Sequence, residues 1–195
     1  MVYPAKLTAE AIVRSALDLL EGGGKEALNM RALAGRLSVQ PSSLYRYYPD
    51  RAALVAALED HAALSLHGAL REASRDRLPR EALSAAAHAY LDYARAHPHL
   101  YGLMLAPRPP APAGPGPGKD LWNHVLHLVG AVTGIPDDTG AAVAYWAFLH
   151  GYVQLERSGG FGLSGPRGGF ERGLKALIRG LAHPDEEKGE GGAGP

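Results

Sequence analysis

An all-α fold is predicted for this 195-residue chain by three observations. Apolar residues recur at spacings of three and four in almost every patterned segment, which is typical of helices. The alternation of apolar and polar residues that indicates strands is absent. Glycine and proline clusters divide the chain into pieces of helical length. The first piece shows the pattern, since Thr8 is a suitable N-cap for a helix whose apolar side is formed by Ile12, Val13, Ala16, Leu17 and Leu20.

The next predicted helices are short. The run Gly22-Gly23-Gly24 is predicted to end the first helix, and Asn29 can cap a second one that ends near Ser38. Proline needs no N–H donor in the first helical turn, so Pro41 fits the start of a third helix running through Tyr48. Two short helices joined by a tight turn predict a helix-turn-helix geometry.

A long fourth helix is predicted to follow Pro49 and Asp50, the latter as its cap, and to join the three-helix domain to the rest of the chain. Further helices are predicted at 80–96, 100–105, 119–133, 139–157 and about 170–182. Residues 106–118 hold six prolines and three glycines and are expected to form a surface loop. The predicted division is a helix-turn-helix domain at 1–50, a second helical domain at 51–183 and a disordered tail at 184–195.

Composition narrows the classes of function. Twenty Lys and Arg residues balance twenty Asp and Glu residues, so the charge of the whole chain predicts neither a nucleic-acid nor a membrane partner. A local basic surface is still compatible with this balance. The chain has no cysteine, which excludes disulfides, thiolate metal sites and a cysteine nucleophile. No apolar run approaches the roughly 20 residues that span a bilayer, and no signal sequence is recognised, so a cytoplasmic protein without membrane contact is expected.

One local basic surface is predicted within the helix-turn-helix segment. Residues 31–51 carry four arginines and one acidic residue, Asp50, and therefore a charge of +3. Apolar residues of the two helices can bury one side of the pair, and the other side keeps polar and aromatic residues without an obvious partner in the domain. DNA would supply phosphates for arginine and hydroxyl groups, and base edges for glutamine, arginine and serine.

Residues 8–58 resemble the DNA-binding domain of the tetracycline-repressor (TetR) family of regulators. The segment from Leu44 to Leu54 is similar to the hallmark of that family, a tyrosine, an aromatic pair and a basic residue before leucine. Arg51 stands where family members usually carry lysine. The resemblance implies an all-helical C-terminal domain that dimerises and binds an effector.

Within this motif, nine residues are predicted to contact DNA, although each alone could belong to a solvated helix face. Ser42, Ser43, Tyr47 and Arg51 are expected at phosphates; Gln40, Arg46 and Tyr45 are candidates for base edges. Pro41 can contact a thymine methyl group. With Arg31, the residues predicted to contact DNA are Arg31, Gln40, Pro41, Ser42, Ser43, Tyr45, Arg46, Tyr47 and Arg51.

The second domain has a weaker signature. The segments His97–Met104 and Trp146–Gly151 are similar to a C-terminal subgroup of the family that is named for its Trp, His and Gly. Aromatic residues with polar tips commonly line effector pockets, although such residues are more often core. The existence of a pocket rests on the resemblance, and its candidate lining is Tyr90, Tyr93, Tyr101, Met104, Trp122, Trp146 and His150.

Other site chemistries find little support. His124 and His127 are spaced i, i+3 on one predicted helix, but no cysteine or carboxylate completes a metal set, so structural histidines are favoured. No nucleophile and base form a recognisable catalytic group. We therefore expect no metal, no cofactor and no enzyme activity.

The predicted function is a ligand-responsive DNA-binding regulator, most often a repressor in this family. A homodimer, with helices 139–157 and 170–182 packed as a four-helix interface, would bind a near-palindromic operator. A small, partly apolar effector would release it. The alternatives are a helical protein-interaction module and an enzyme that kept the fold. Operator, effector and the role of residues 106–118 are not assigned by the sequence.

Overall fold

The all-α prediction is confirmed. The structure is a computed structural model that describes residues 7–105 and 115–182. Over these residues it contains nine α-helices and no strand: α1 Ala9–Ala27, α2 Met30–Arg36, α3 Pro41–Tyr45, α4 Arg51–Ser74, α5 Pro79–Ala96, α6 Pro98–Met104, α7 Pro117–Thr133, α8 Thr139–Arg157 and α9 Gly169–Leu181.

The first helix begins at the predicted cap, and its regular geometry is interrupted at the predicted glycine run. The Ala11 amide donates to Thr8 Oγ1 at 3.1 Å, which confirms the N-cap. The predicted break at the glycine run is confirmed at Gly24, beyond which a short helical stretch continues to Ala27. Only Gly24 leaves helical geometry, with φ of +71°, and it makes a kink there. A side chain at this position would be strained by the left-handed backbone.

Several boundaries differ from the prediction, including the start of α6 at Pro98 rather than at residue 100. Helix α3 ends at Tyr45 rather than at Tyr48, since the amides of Tyr47 and Tyr48 both turn back to the Leu44 carbonyl at 2.9 and 3.0 Å. Helix α7 begins at Pro117, inside the predicted loop, because proline is tolerated in a first turn. The remainder of that loop, 106–114, and the predicted tail at 184–195 lie outside the described residues.

The N-terminal unit comprises the described residues through Leu66 together with those from Tyr93 to Lys119. It therefore includes residues that the predicted division assigned to the second domain. The reason is visible in its core, where Leu100 and Leu103 of α6 are buried in one cluster with Ile12, Leu33 and other residues of α1 to α4. Helix α6 is thus part of the unit that carries the helix-turn-helix.

The C-terminal unit comprises residues 67–92 and the described residues from 120 onwards. Tyr145 of α8 is fully buried in this unit, and its hydroxyl donates to the Leu83 carbonyl of α5 at 2.8 Å. The rings of Phe148 on α8 and Phe170 on α9 stack at 5.7 Å. Among the described helices, none is long and apolar enough to cross a membrane.

Candidate nucleic-acid interface

The helix-turn-helix is held by caps and by one unusual turn residue. The Ala32 amide donates to Asn29 Oδ1 at 2.9 Å, which confirms the predicted cap of α2. Ser38 lies in the left-handed region with φ of +53°, where glycine would meet no steric penalty. The Val39 amide closes the turn on the Ala34 carbonyl at 3.0 Å. This geometry fixes the start of α3 relative to α2.

Most of the predicted DNA-contacting residues lie on the exposed side of this pair. Leu33 and Leu44 are fully buried, and they orient the two helices. Gln40 occupies the N-cap position of α3, but its side chain makes no cap hydrogen bond, so its amide is not used by the helix. Pro41 and Ser43 are half-buried, and five further members of the set are exposed: Arg31, Gln40, Ser42, Tyr45 and Arg46.

Tyr47 is exposed, but its hydroxyl is bound to the protein's own backbone. Its hydroxyl donates to the Leu7 carbonyl at 2.6 Å. A phenol has one hydrogen to donate, and a phosphate oxygen accepts rather than donates. The contact therefore competes with the predicted phosphate contact, and it ties the end of α3 to the segment that precedes α1.

Arg51 is exposed, and its guanidinium also binds the protein's own backbone. Its Nε donates to the Leu28 carbonyl at 2.9 Å, and its Nη2 donates to the Lys25 carbonyl at 3.1 Å. The Lys25 carbonyl is in the last turn of α1, and the Leu28 carbonyl is in the connection between α1 and α2. A guanidinium has five N–H donors, so three remain for other partners. The structure places Arg51 as a clamp on this connection, whereas the sequence predicted a phosphate contact alone.

Two functional contacts were missed in the sequence. Arg36 on α2 pairs with Asp18 on α1 at 2.8 Å, so one of the four arginines behind the local charge is already neutralised. Glu21 on α1 accepts the amides of Leu100 and His99 at 2.9 and 3.3 Å, and so caps α6, whose own N-cap residue supplies no side-chain bond. The available signal was Pro98 at a helix start without a capping residue before it.

The residues predicted to line an effector pocket fall in both units. In the C-terminal unit, the Trp146 ring lies 5.3 Å from Tyr90 and 6.5 Å from Trp122. The Tyr90 hydroxyl and His150 Nδ1 are 3.4 Å apart. Burial lowers the pKa of His150, which favours the neutral ring. These four side chains therefore form one aromatic cluster with a polar centre.

The other three belong to the N-terminal unit. Tyr93 donates to the Ala62 carbonyl at 3.2 Å and lies 2.8 Å from Ser65 Oγ. Burial raises the pKa of Tyr93. Tyr101 is fully buried, and Met104 packs against the core that contains Leu100. Each is packed against protein neighbours.

Open space of ligand size lies elsewhere. In the C-terminal unit a groove of about 600 Å³ is formed by α5 and α9, and none of the seven predicted effector residues lines it. Across the described residues, no group of three or more His, Asp or Glu side chains is arranged to hold a metal ion.

Two family profiles match the chain. The profile described as "Bacterial regulatory proteins, tetR family" matches residues 12–58, and "Tetracyclin repressor-like, C-terminal domain" matches residues 83–177. The first match covers the helix-turn-helix described above. The second match contains Trp146, His150 and Gly151. The chain belongs to the TetR family of transcriptional regulators.

Individual relatives agree with this family. An uncharacterised helix-turn-helix-type transcriptional regulator of Mycobacterium tuberculosis is 29% identical over 80% of this chain and 73% of its own length. The class C tetracycline repressor protein of Escherichia coli is 46% identical over 55 residues, 28% of this chain and 25% of the relative. A solved structure of a Rhodococcus protein of unknown function covers 93% of this chain and 100% of its own, at 25% identity and a TM-score of 0.78.

As a member of the TetR family, the protein is a DNA-binding transcriptional regulator rather than an enzyme. The exposed surface of α2 and α3 is the part of the described structure that carries the family's DNA-binding motif. Gln40 and Arg46 are among the side chains exposed on that surface.

Proposed function

We propose that this TetR-family protein represses transcription by binding a near-palindromic operator as a homodimer, and that a small, partly apolar effector releases it. The observation that carries the proposal is the exposed polar surface of α2 and α3, which is rigidly supported by buried leucines and by the turn at Ser38. The repressor role is supported by the 46% identity, over 55 residues, to a protein named as a tetracycline repressor.

Contacts on this surface divide by chemistry. Gln40, Tyr45 and Arg46 are exposed at the start and end of α3, and we assign them to base edges. Ser42, Ser43 and Arg31 are assigned to phosphates, which position the protein without specifying sequence. Pro41 at the first turn can meet a thymine methyl group.

Tyr47 and Arg51 support the surface through their bonds to the backbone. The three remaining donors of Arg51 can still reach a phosphate. Both residues therefore stay in the proposed interface, with positioning as their main contribution.

The homodimer would form on one face of α8. Val143 and Leu155 are about half exposed, at 52% and 49%, although both are large and apolar. Ala147 and Gly151 lie between them at intervals of four residues and are also exposed. A second copy of the same face would cover this stripe, together with α9, as in a four-helix interface. The two α3 helices would then enter successive major grooves about 34–36 Å apart.

The effector would bind through the predicted residues that lie in the C-terminal unit, Tyr90, Trp122, Trp146 and His150. Coupling between an effector and DNA is commonly about 1–3 kcal/mol, and it is reciprocal. Operator DNA should therefore weaken effector binding by the same factor.

The first experiment titrates the purified protein against DNA from the region around its own gene, in graded salt, by fluorescence anisotropy. Arg46→Ala should cost about 1–3 kcal/mol of affinity for the bound site and much less for unrelated DNA. Arg75→Ala is the matched control, because Arg75 is an exposed arginine just beyond α4 and outside the motif, paired with Glu72 at 2.8 Å. Uniform weak binding that Arg46→Ala does not change would instead favour the protein-interaction module.

Dimerisation is tested separately by light scattering on the Val143→Glu variant. A buried carboxylate at the centre of an apolar interface should shift the protein to monomers. A dimer that persists unchanged would contradict the proposed α8 interface and leave the assignment of the DNA surface intact.

A further inference from the structure

The groove between α5 and α9 combines a long apolar floor with a charged rim. Its floor is Ala85 from α5 with Leu174 and Ile178 from α9. Leu174 and Ile178 are 2% and 8% exposed, so they form a continuous buried surface at the bottom of the groove. The volume of about 600 Å³ lies within the range of about 300–1,000 Å³ that is usual for small-molecule sites.

The charges on the rim are unequally divided. Four cationic side chains line the groove: Arg77, Arg80, Lys175 and Arg179. Only two carboxylates line it, those of Glu81 and Glu171. Glu171 is already engaged, because its carboxylate lies 2.9 Å from His88 Nε2. Among the described residues, Lys175 and Arg179 have no ion-pair partner. The groove therefore carries an excess of positive charge in a chain whose total charge is zero.

The positive charge is concentrated at one end. The contact between His88 of α5 and Glu171 of α9 shows which residues of the two helices lie side by side. Arg80 and Arg179 each lie eight residues away from that contact, or about 12 Å along the axis of α5 and of α9. Arg77 lies further in the same direction on the α5 side, with its Nε bonded to the Ala73 carbonyl at 2.8 Å. The end of the groove near His88 and Glu171 is thus electrically balanced, and the other end carries Arg77, Arg80 and Arg179 against Glu81 alone.

We propose that this groove binds a small amphipathic anion, with its apolar body on Leu174 and Ile178 and its carboxylate between Lys175 and Arg179. An apolar floor with a few convergent polar groups at one end is the pattern of a small-molecule site. Arginine and lysine form charge-assisted hydrogen bonds with carboxylates, which are about twice as strong as neutral ones. The binding step does not depend on the proposed release from DNA.

An alternative occupant is the acidic C-terminal segment of the same chain. It follows α9 in the sequence and contains four carboxylates whose charge is opposite to that of the rim: Asp185, Glu186, Glu187 and Glu190. Its residues 183–195 include no large apolar side chain that could cover Leu174 and Ile178. The apolar floor therefore favours the small molecule, and the experiment distinguishes the two.

The test is isothermal titration of the full-length chain with octanoate, and with octan-1-ol as the uncharged probe of the same chain length. We expect one octanoate site per chain, and binding of octan-1-ol at least about tenfold weaker, since a single charge-assisted contact corresponds to about one decade of affinity. The double variant Lys175→Ala/Arg179→Ala should weaken octanoate binding by about tenfold or more. Both side chains are exposed, so the fold, checked by circular dichroism, should be unchanged.

The control is Arg172→Ala, which removes one exposed cation of α9 that does not line the groove. Absence of octanoate binding, equal affinities for octanoate and octan-1-ol, or an equal loss in Arg172→Ala and in the double variant would overturn the proposal. A third variant, D185N/E186Q/E187Q/E190Q, replaces the four carboxylates of the C-terminal segment with amides. Unchanged octanoate affinity in this variant supports the small-molecule site, and a tenfold rise would assign the groove to the C-terminal segment instead.

Discussion

Arg51 gives the sharpest test of how the DNA-binding unit is assembled. The sequence predicted a phosphate contact, but the guanidinium bonds to the carbonyls of Leu28 and Lys25 at 2.9 and 3.1 Å. If Arg51 acts mainly as a clamp, Arg51→Ala should lower the free energy of unfolding as well as DNA affinity. Arg51→Lys, which restores the usual residue of the family, should keep the charge but lose the forked geometry that spans two carbonyls.

The size of the effect follows from the two bonds. Hydrogen bonds from charged donors contribute about 1.5–3 kcal/mol when buried, and less where water competes. One of these bonds is half-buried and the other is exposed. We therefore expect Arg51→Ala to lose about 1–2 kcal/mol of unfolding free energy. Arg51→Lys should lose about half of that, because an ammonium group can reach one of the two carbonyls.

Urea denaturation followed by circular dichroism measures the loss of stability, and anisotropy with operator DNA at several salt concentrations measures binding. A pure phosphate contact would lower affinity and reduce the dependence on salt by about one counterion, with stability unchanged. That outcome in Arg51→Ala would refute the clamp. Arg36→Ala is a useful comparison, because its exposed pair with Asp18 should be worth less than about 1 kcal/mol.

Three further predictions concern backbone geometry and protonation. Ser38→Gly should raise the unfolding free energy by up to about 1 kcal/mol in urea, because φ of +53° disfavours a side chain; a loss of stability would contradict this. Glu21→Ala should lower the unfolding free energy by about 1–2 kcal/mol and speed hydrogen exchange at the amides of Leu100 and His99. Unchanged exchange at these amides would contradict the role of Glu21 as a cap. Burial, with smaller repulsion from His67 and other cations, lowers the pKa of His124 to about 4. Its unfolded pKa is about 6.5, so the native state should lose stability as pH falls from 6.5 towards 4, by about 1 kcal/mol or less because the ring is half exposed. His124→Gln should flatten this dependence, and an unchanged curve would place its cause elsewhere.

The sequence was informative wherever the determinant was local. Thr8, Asn29 and Asp50 were predicted to cap helices, and the amides of Ala11, Ala32 and Ala53 donate to them at 3.1, 2.9 and 2.8 Å. Caps act over three residues, so spacing alone reveals them. The apolar pattern likewise predicted the burial of Leu33 and Leu44, because helical periodicity determines which side of each helix faces the core.

Contacts between distant segments could not be predicted in this way. Tyr47 and Leu7 are 40 residues apart, and Glu21 and Leu100 are 79 apart. In both cases the partner is a backbone group, which every residue carries, so residue types give no signal for the pair. Tyr47 and Arg51 were therefore predicted to contact DNA, although the structure shows both bound to the protein's own backbone.

The Glu21 contact joins α6 to the unit that carries the helix-turn-helix. Helix α6 has seven residues and no cap of its own, so its first turn depends on a carboxylate supplied by α1. Leu100 and Leu103 of α6 are buried in the same core as Leu33 of α2. A displacement of α6 would therefore have to break the cap or carry α1 with it, because packed cores do not deform continuously. The position of α6 is therefore coupled to that of α1 both through the cap at Glu21 and through the shared core.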